Sequence, residues 1–194
     1  MSNVLIINAH HAYPFSPGHL SRTMVEKAQQ LLTSKGHTTR VITIDQGWDV
    51  QQALDDHQWA DIIFLQSPVN WMGVPWTFKK YMDEVYTAGM GGALCNGDGR
   101  SAEEPKRNYG AGGTLQGKQY MLSLTFNAPE EAFDDPQEYL FAGKGVDDLL
   151  FPMHMNFRFF GMQPLPTFAC FDVMKNPQVE QDFVRFADHL NQYF

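Results

Sequence analysis

Apolar positions fall into two regimes along the chain. Short, continuously apolar runs, VLIIN (Val4 to Asn8) and DIIFLQS (Asp61 to Ser67), are bounded by polar or turn-forming residues and read as strands buried on both faces. TTRVITID (Thr38 to Asp45), QYMLSLTF (Gln119 to Phe126) and PTFACF (Pro166 to Phe171) predict three more. Between the strands the spacing becomes helical. Leu20, Met24, Ala28, Leu31 and Leu32 share one face, and Gly36 stands where such a helix ends. A short helix is predicted over Val50 to Gln58. Another starts at Trp76, with Phe78, Tyr81, Met82, Val85 and Tyr86 on its stripe and Trp76 read as leading that stripe into the core. Val179, Phe183, Phe186, Ala187, Leu190 and Phe194 form the face of a closing helix.

Strands that alternate with helices imply a parallel sheet covered on both faces, because parallel neighbours need crossover connections. Five strands fit the order 2-1-3-4-5, an α/β three-layer sandwich of the flavodoxin-like kind. Residues 1 to 194 show no composition break, repeat or low-complexity tract, which predicts one domain. Thr87 to Gly117 lacks periodicity over about thirty residues, twice the usual limit of about 15 for a structureless connection. Its YGAGG (Tyr109 to Gly113) favours an ordered turn.

Charge and cysteines narrow the function classes. A formal charge of -8 argues against general nucleic-acid binding, which needs a basic excess. Cys95 and Cys170 match no metal or redox spacing. With no basic leader and no apolar stretch of spanning length, the expected location is cytoplasmic, without membrane insertion. Aromatics at 13% and ten methionines hint at an apolar pocket or interface beyond the core.

In an open parallel sheet, ligands bind beyond the carboxyl ends of the strands, where the strand order reverses. Three loops meet there. In NAHHAYPFSPGHLSRT (Asn8 to Thr23), Ser16 is read as the helix N-cap and Pro17 as the first helical residue, leaving N–H groups that can hold a phosphate or simply a capped helix end. Neither a Walker nor a dinucleotide glycine motif is present, and His10 and His11 read as surface or hydrogen-bonding groups with no partners for a metal. SPVNWMGVPW (Ser67 to Trp76) puts Val69, Asn70, Trp71 and Met72 between Pro68 and Pro75. Their N–H groups, uncommitted to a sheet, together with indole and thioether surface, suit a flat heteroaromatic ligand. LTFNAP (Leu124 to Pro129) adds the Thr125 hydroxyl and the Asn127 amide.

Several segments resemble the modulator-of-drug-activity-B proteins, NADPH-dependent quinone reductases of the flavodoxin-like superfamily. They are NVLIIN, WAD, PxxWMGxPW and KKY (Trp59 to Tyr81), DGR (Asp98 to Arg100), YGxGG with QGKxYMLSLTxNAP (Tyr109 to Pro129), GVD, and GMxPLPTF (Gly161 to Phe168). The resemblance implies bound FAD. Ser16, Gly18, His19, Leu20, Ser21 and Thr23 would hold the pyrophosphate. Pro68, Val69, Asn70, Trp71 and Met72 would line the isoalloxazine, with Tyr109, Thr125, Phe126, Asn127 and Ala128 completing the contacts. Val69-Asn70 stands where the compared relative has Gly-Trp, and HHAYPF replaces a basic segment.

The implied reaction is ping-pong hydride transfer, from NADPH (or NADH) to the flavin N5 and then to a quinone, with the hard chemistry belonging to the cofactor. No protein nucleophile is needed, and no metal is expected. Tyr139 lies in the region that supplies a proton-balancing tyrosine in mammalian relatives, without the accompanying histidine. LLFPMHMNFRFFGM (Leu149 to Met162) reads as a helix apolar on two faces, the second implied to form a homodimer interface roofing the flavin. The alternatives are an azo- or nitroreductase using FMN or FAD, and a flavin-binding regulatory subunit of a potassium-efflux transporter.

Overall fold

The computed structural model describes residues 1–194. Three central strands, β1 (Asn3–Asn8), β3 (Ile62–Pro68) and β4 (Gln119–Thr125), run parallel with almost every side chain buried. β2 (Thr38–Thr43) pairs with β1 at one edge and is largely open to solvent. The sheet order is β2-β1-β3-β4-β5, as predicted. The fifth place differs from expectation: it is shared by β5 (Gln163–Pro164), paired with the start of β4, and β6 (Phe168–Cys170), paired with its end. Prolines cause the interruption. Gln163 and Leu165 donate their N–H groups inward, to Lys118 and Tyr120 at 3.0 and 2.7 Å, while Pro164 and Pro166 have none to give.

Alternate side chains on each strand face opposite layers. Val4, Ile6, Phe64 and Met121 pack with α1 (His19–Ser34) and α6 (Val179–Tyr193). Leu5, Ile7, Ile63, Leu65 and Leu122 face α2 (Val50–Trp59), α3 (Trp76–Tyr81) and the aromatic residues around them. Asp49 caps α2 by accepting from the Gln52 N–H at 2.8 Å. α3 passes into a π turn over Met82–Tyr86, which helical periodicity alone does not reveal.

The apolar segment at Leu149–Met162 is two pieces rather than one helix. α4 (Val146–Leu149) ends at Leu150, and α5 (Phe151–Phe159) restarts with Pro152 in its first turn, where a missing N–H costs nothing. Met153 and Phe157 are buried while Phe151 is exposed, so the second apolar face is uncovered within one chain. A polar chain pins this region to the sheet. The Tyr120 hydroxyl donates to His154 Nδ1 at 2.7 Å, His154 Nε2 lies 3.1 Å from Asp147, and the Thr167 hydroxyl donates to Asp147 at 2.6 Å. The hydrogen bond from His154 holds the Asp147 carboxyl below its usual range.

The connection after Thr87 is ordered, as YGAGG suggested. Its backbone folds on itself through Asn96 N–H to Gly112 O and Gly110 N–H to Asp98 O, both at 2.7 Å. At Gly113 a Cβ would stand 2.2 Å from the Phe160 carbonyl carbon, so only glycine lets the loop lie against the end of α5.

His57 gives the core a pH dependence. It is fully buried on α2, its Nδ1–H donates to the Ala53 carbonyl at 2.8 Å, and burial lowers its pKa to about 4. Burial also lowers His10. The unfolded chain protonates these histidines near 6.5, whereas folded His57 stays neutral until about 4. Their stabilisation is therefore complete above pH 6.5 and lost as pH falls toward 4. Urea midpoints should fall between about pH 7 and pH 4.5, and His57→Gln should flatten that slope. Identical pH profiles for the two proteins would contradict the assignment to His57.

Candidate functional site

Backbone hydrogen bonds draw the three strand-end loops together. The Ala9 N–H donates to the Gln66 carbonyl at 2.9 Å, joining the first loop to the end of β3. The Val69 N–H donates to the Thr125 carbonyl at 2.9 Å, joining the second loop to the third. The third loop is anchored in turn by Phe126 N–H to Cys170 O at 2.8 Å and Asp172 N–H to Ala128 O at 2.9 Å.

The start of α1 corrects the expected cap. Gly18, not Ser16, is the N-cap, and no side chain caps the helix. Ser16 is held instead in a bridge with Tyr13, each N–H donating to the other's carbonyl at 2.9 and 3.0 Å. Pro17 therefore lies before the helix. Gly18 takes φ +82°, and a Cβ there would stand 2.5 Å from the His10 imidazole. His10 is buried beneath the helix start, its Nε2 3.5 Å from the Ser16 hydroxyl. The first turn has no acidic residue, so the positive end of the helix is left unopposed. His19 is exposed, Leu20 and Thr23 are half-buried, and Ser21 is buried against the sheet.

The second loop is a tight two-residue turn. Asn70 and Gly73 exchange hydrogen bonds at 2.8 and 3.1 Å, and between them Trp71 and Met72 both take positive φ, +48° and +66°. That conformation is normally left to glycine or asparagine and costs roughly 1–2 kcal/mol per residue. The expectation of four uncommitted N–H groups is halved, since Val69 and Asn70 spend theirs on the third loop and on the turn. Those of Trp71 and Met72 have no partner in the protein. The Trp71 indole is 98% exposed.

Trp76 departs from its predicted core position. It is 60% exposed because it lies opposite Phe78 and Met82 on α3. With Tyr13 and Trp71 it lines a cleft of about 610 Å³, rimmed by Lys79, Lys80, Asp83 and Glu84. His11 stands edge-on to Tyr13 and Trp76, 3.0 Å from the Asp45 carboxylate. The aromatic lining from Tyr13 and Trp76 was missed in the sequence. Its one available signal was the mismatch in phase between Trp76 and the buried stripe.

The remaining expected contacts divide. Pro68 ends β3 opposite Thr125, and both Thr125 and Phe126 are buried. The Phe126 ring stacks on Phe171 and meets Phe133 edge-on, so it serves the core and leaves only its backbone near the loops. Asn127 is exposed and Ala128 half-buried. Tyr109 is 74% exposed against Phe159 and Arg100, and Tyr139 is 96% exposed. A second groove, about 1350 Å³ between the broken edge strand, α5 and α6, contains none of the expected residues and mixes both signs of charge. Its size alone does not make it the site.

Comparison with known proteins shows the family and the fold. A family described as flavodoxin-like fold matches residues 2–194. NADPH:quinone oxidoreductase MdaB of Haemophilus influenzae is 45% identical over 192 residues, covering 99% of each chain. Among solved structures, a candidate quinone reductase from Klebsiella pneumoniae superposes with a TM-score of 0.78 at 22% identity, over 99% of this chain and 85% of that one. General stress protein 14 of Treponema denticola, solved with FMN, gives 0.67 at 18% identity, over the full length of both.

Gly18→Ala should lower stability by about 1–3 kcal/mol through strain at positive φ and overlap with His10, read from urea unfolding followed by tryptophan fluorescence. An unaltered midpoint would mean that the loop has room to yield.

Proposed function

Because this chain belongs to the family of flavodoxin-like proteins that includes the MdaB quinone oxidoreductase, we propose that it is an FAD-dependent NAD(P)H:quinone oxidoreductase. The observation that carries this reading is the Asn70–Gly73 turn, where two unpartnered N–H groups and a fully exposed indole stand at the carboxyl edge of the sheet. A strained turn of this kind persists where a ligand uses it. A flat ring with acceptor atoms at its edge fits both features.

When bound, the flavin supplies the hydride chemistry by which a nicotinamide reduces a quinone. The protein binds, orients and stabilises. The Trp71 and Met72 N–H groups would meet negative charge at the ring edge, where a well-placed donor is worth about 3 kcal/mol. The Trp71 indole would stack against a ring. The uncapped start of α1, from Gly18 through Thr23, would take the pyrophosphate, and the Asn127 amide would reach a polar edge. Burial keeps His10 neutral beneath that helix start, so it adds shape rather than charge.

Tyr109 and Tyr139, both far out on the surface of one chain, are proposed to act only where a second copy brings them over a flavin. The side of α5 that carries exposed Phe151 and half-buried Met155 is the proposed contact for that homodimer.

The purified protein should be yellow, its extracted cofactor should run with FAD rather than FMN, and the loaded protein should oxidise NADPH in the presence of a benzoquinone. Flavin-loaded protein that consumes no NADPH would overturn the enzymatic reading and favour a non-catalytic flavin-binding subunit. An FMN extract would move the chain toward the azo- and nitroreductase reading.

Trp71→Ala should weaken flavin binding about tenfold, as expected for the loss of one stacking partner. Flavin fluorescence titration of the apoprotein measures this. Equal affinities would place the indole away from the ring.

A further inference from the structure

We propose that His57, Tyr81 and Tyr86 form a buried binding site for one water molecule, between α2 and the π turn that follows α3. His57 and Tyr81 are fully buried and Tyr86 is 7% exposed. His57 Nε2, the Tyr81 hydroxyl and the Tyr86 hydroxyl all lack a hydrogen-bond partner in the protein. Such groups are rare in folded proteins and costly to leave unused. Here three of them occur on rings that touch one another. The ring centroids stand 6.2 Å apart for His57 and Tyr81, 5.8 Å for His57 and Tyr86, and 6.1 Å for Tyr81 and Tyr86, a nearly equilateral triangle.

Donor and acceptor chemistry fits a bridging water. His57 Nδ1 commits its hydrogen to the Ala53 carbonyl, so Nε2 offers a lone pair and can only accept. Each phenol can donate or accept. A water molecule donating to His57 and exchanging hydrogen bonds with the hydroxyls would satisfy groups that cannot satisfy one another.

The neighbouring charges exclude an ion. Asp56 is taken by Arg40 at 2.7 Å, and the Lys118 ammonium is taken by the carbonyls of Gln58 and Ala60. Burial keeps the Tyr86 and Tyr81 phenols protonated and His57 neutral. A neutral, small, doubly capable ligand remains.

The π turn gives the site its shape. In a regular α-helix, residues five apart point about 140° away from each other around the axis. The turn over Met82–Tyr86 closes from residue i to residue i+5, and this brings Tyr86 round to the side of Tyr81, facing α2. An uninterrupted helix would turn one of the two hydroxyls away. The site thus supplies a physical use for a rare backbone feature.

A crystal structure of the intact protein at about 1.5 Å or better should show one ordered water within about 2.7–3.2 Å of His57 Nε2 and of at least one hydroxyl. Tyr81→Phe and Tyr86→Phe should each lower the melting temperature by about 2–4 °C, because each strands the water and its remaining partners. The double variant should cost less than the sum of the two, as coupling through a shared molecule requires. Absence of an ordered water shared by His57 Nε2 and either hydroxyl overturns the proposal. So do single variants with unchanged or higher melting temperatures, the result expected when an unused buried hydroxyl is removed from a dry site.

Discussion

Parallel pairing of β1, β3 and β4, with almost every rung buried, is the constraint from which the candidate site descends. Asn8 stands beside Gln66, and Gln66 beside Ser123, so the three strands reach their carboxyl ends at nearly the same level. A parallel sheet cannot scatter its strand-end loops, since each chain must leave at the same edge before crossing back. The level ends make possible the two ties between loops, Ala9 to Gln66 and Val69 to Thr125. A candidate site assembled from distant parts of the sequence is therefore tied to the sheet at two points.

Against that rigid edge, the Trp71–Met72 turn stores strain. Two bulky residues sit where glycine would be comfortable, one of them with its whole indole in solvent. A glycine turn would close the same pair of hydrogen bonds at lower cost. The turn leaves two amide hydrogens without a partner and an aromatic face in solvent.

The sequence made the sheet legible because buried parallel strands have a distinctive composition, as VLIIN and DIIFLQS show. The location of the candidate site followed from topology alone. Its details did not. Ser16 looked like a cap because its residue type suits one, but the Tyr13–Ser16 bridge claims its backbone and leaves the role to Gly18. Trp76 was read with the core because tryptophan heads an apolar stripe, although its phase on the helix puts it opposite that stripe. Both errors arise from judging a residue by its type where a neighbour's geometry decides. The π turn and the split at Leu150 depend on packing between elements far apart in the chain, which a periodic pattern does not encode. Tyr109 and Tyr139, assigned through resemblance, are largely exposed within a single chain.

The broken fifth position of the sheet governs how copies of the chain can meet. Gln163 and Leu165 spend their N–H groups on the start of β4 and the residue before it, and the alternate positions, Pro164 between them and Pro166 after them, have no N–H to turn outward. An approaching strand finds no donors along that stretch, so the rim resists lateral growth of the sheet into ribbons or fibrils. Association by stacking strand on strand is disfavoured at this border. At this border any contact between copies is left to side-chain surfaces, which can be matched to one partner, rather than to the main chain, which would accept any.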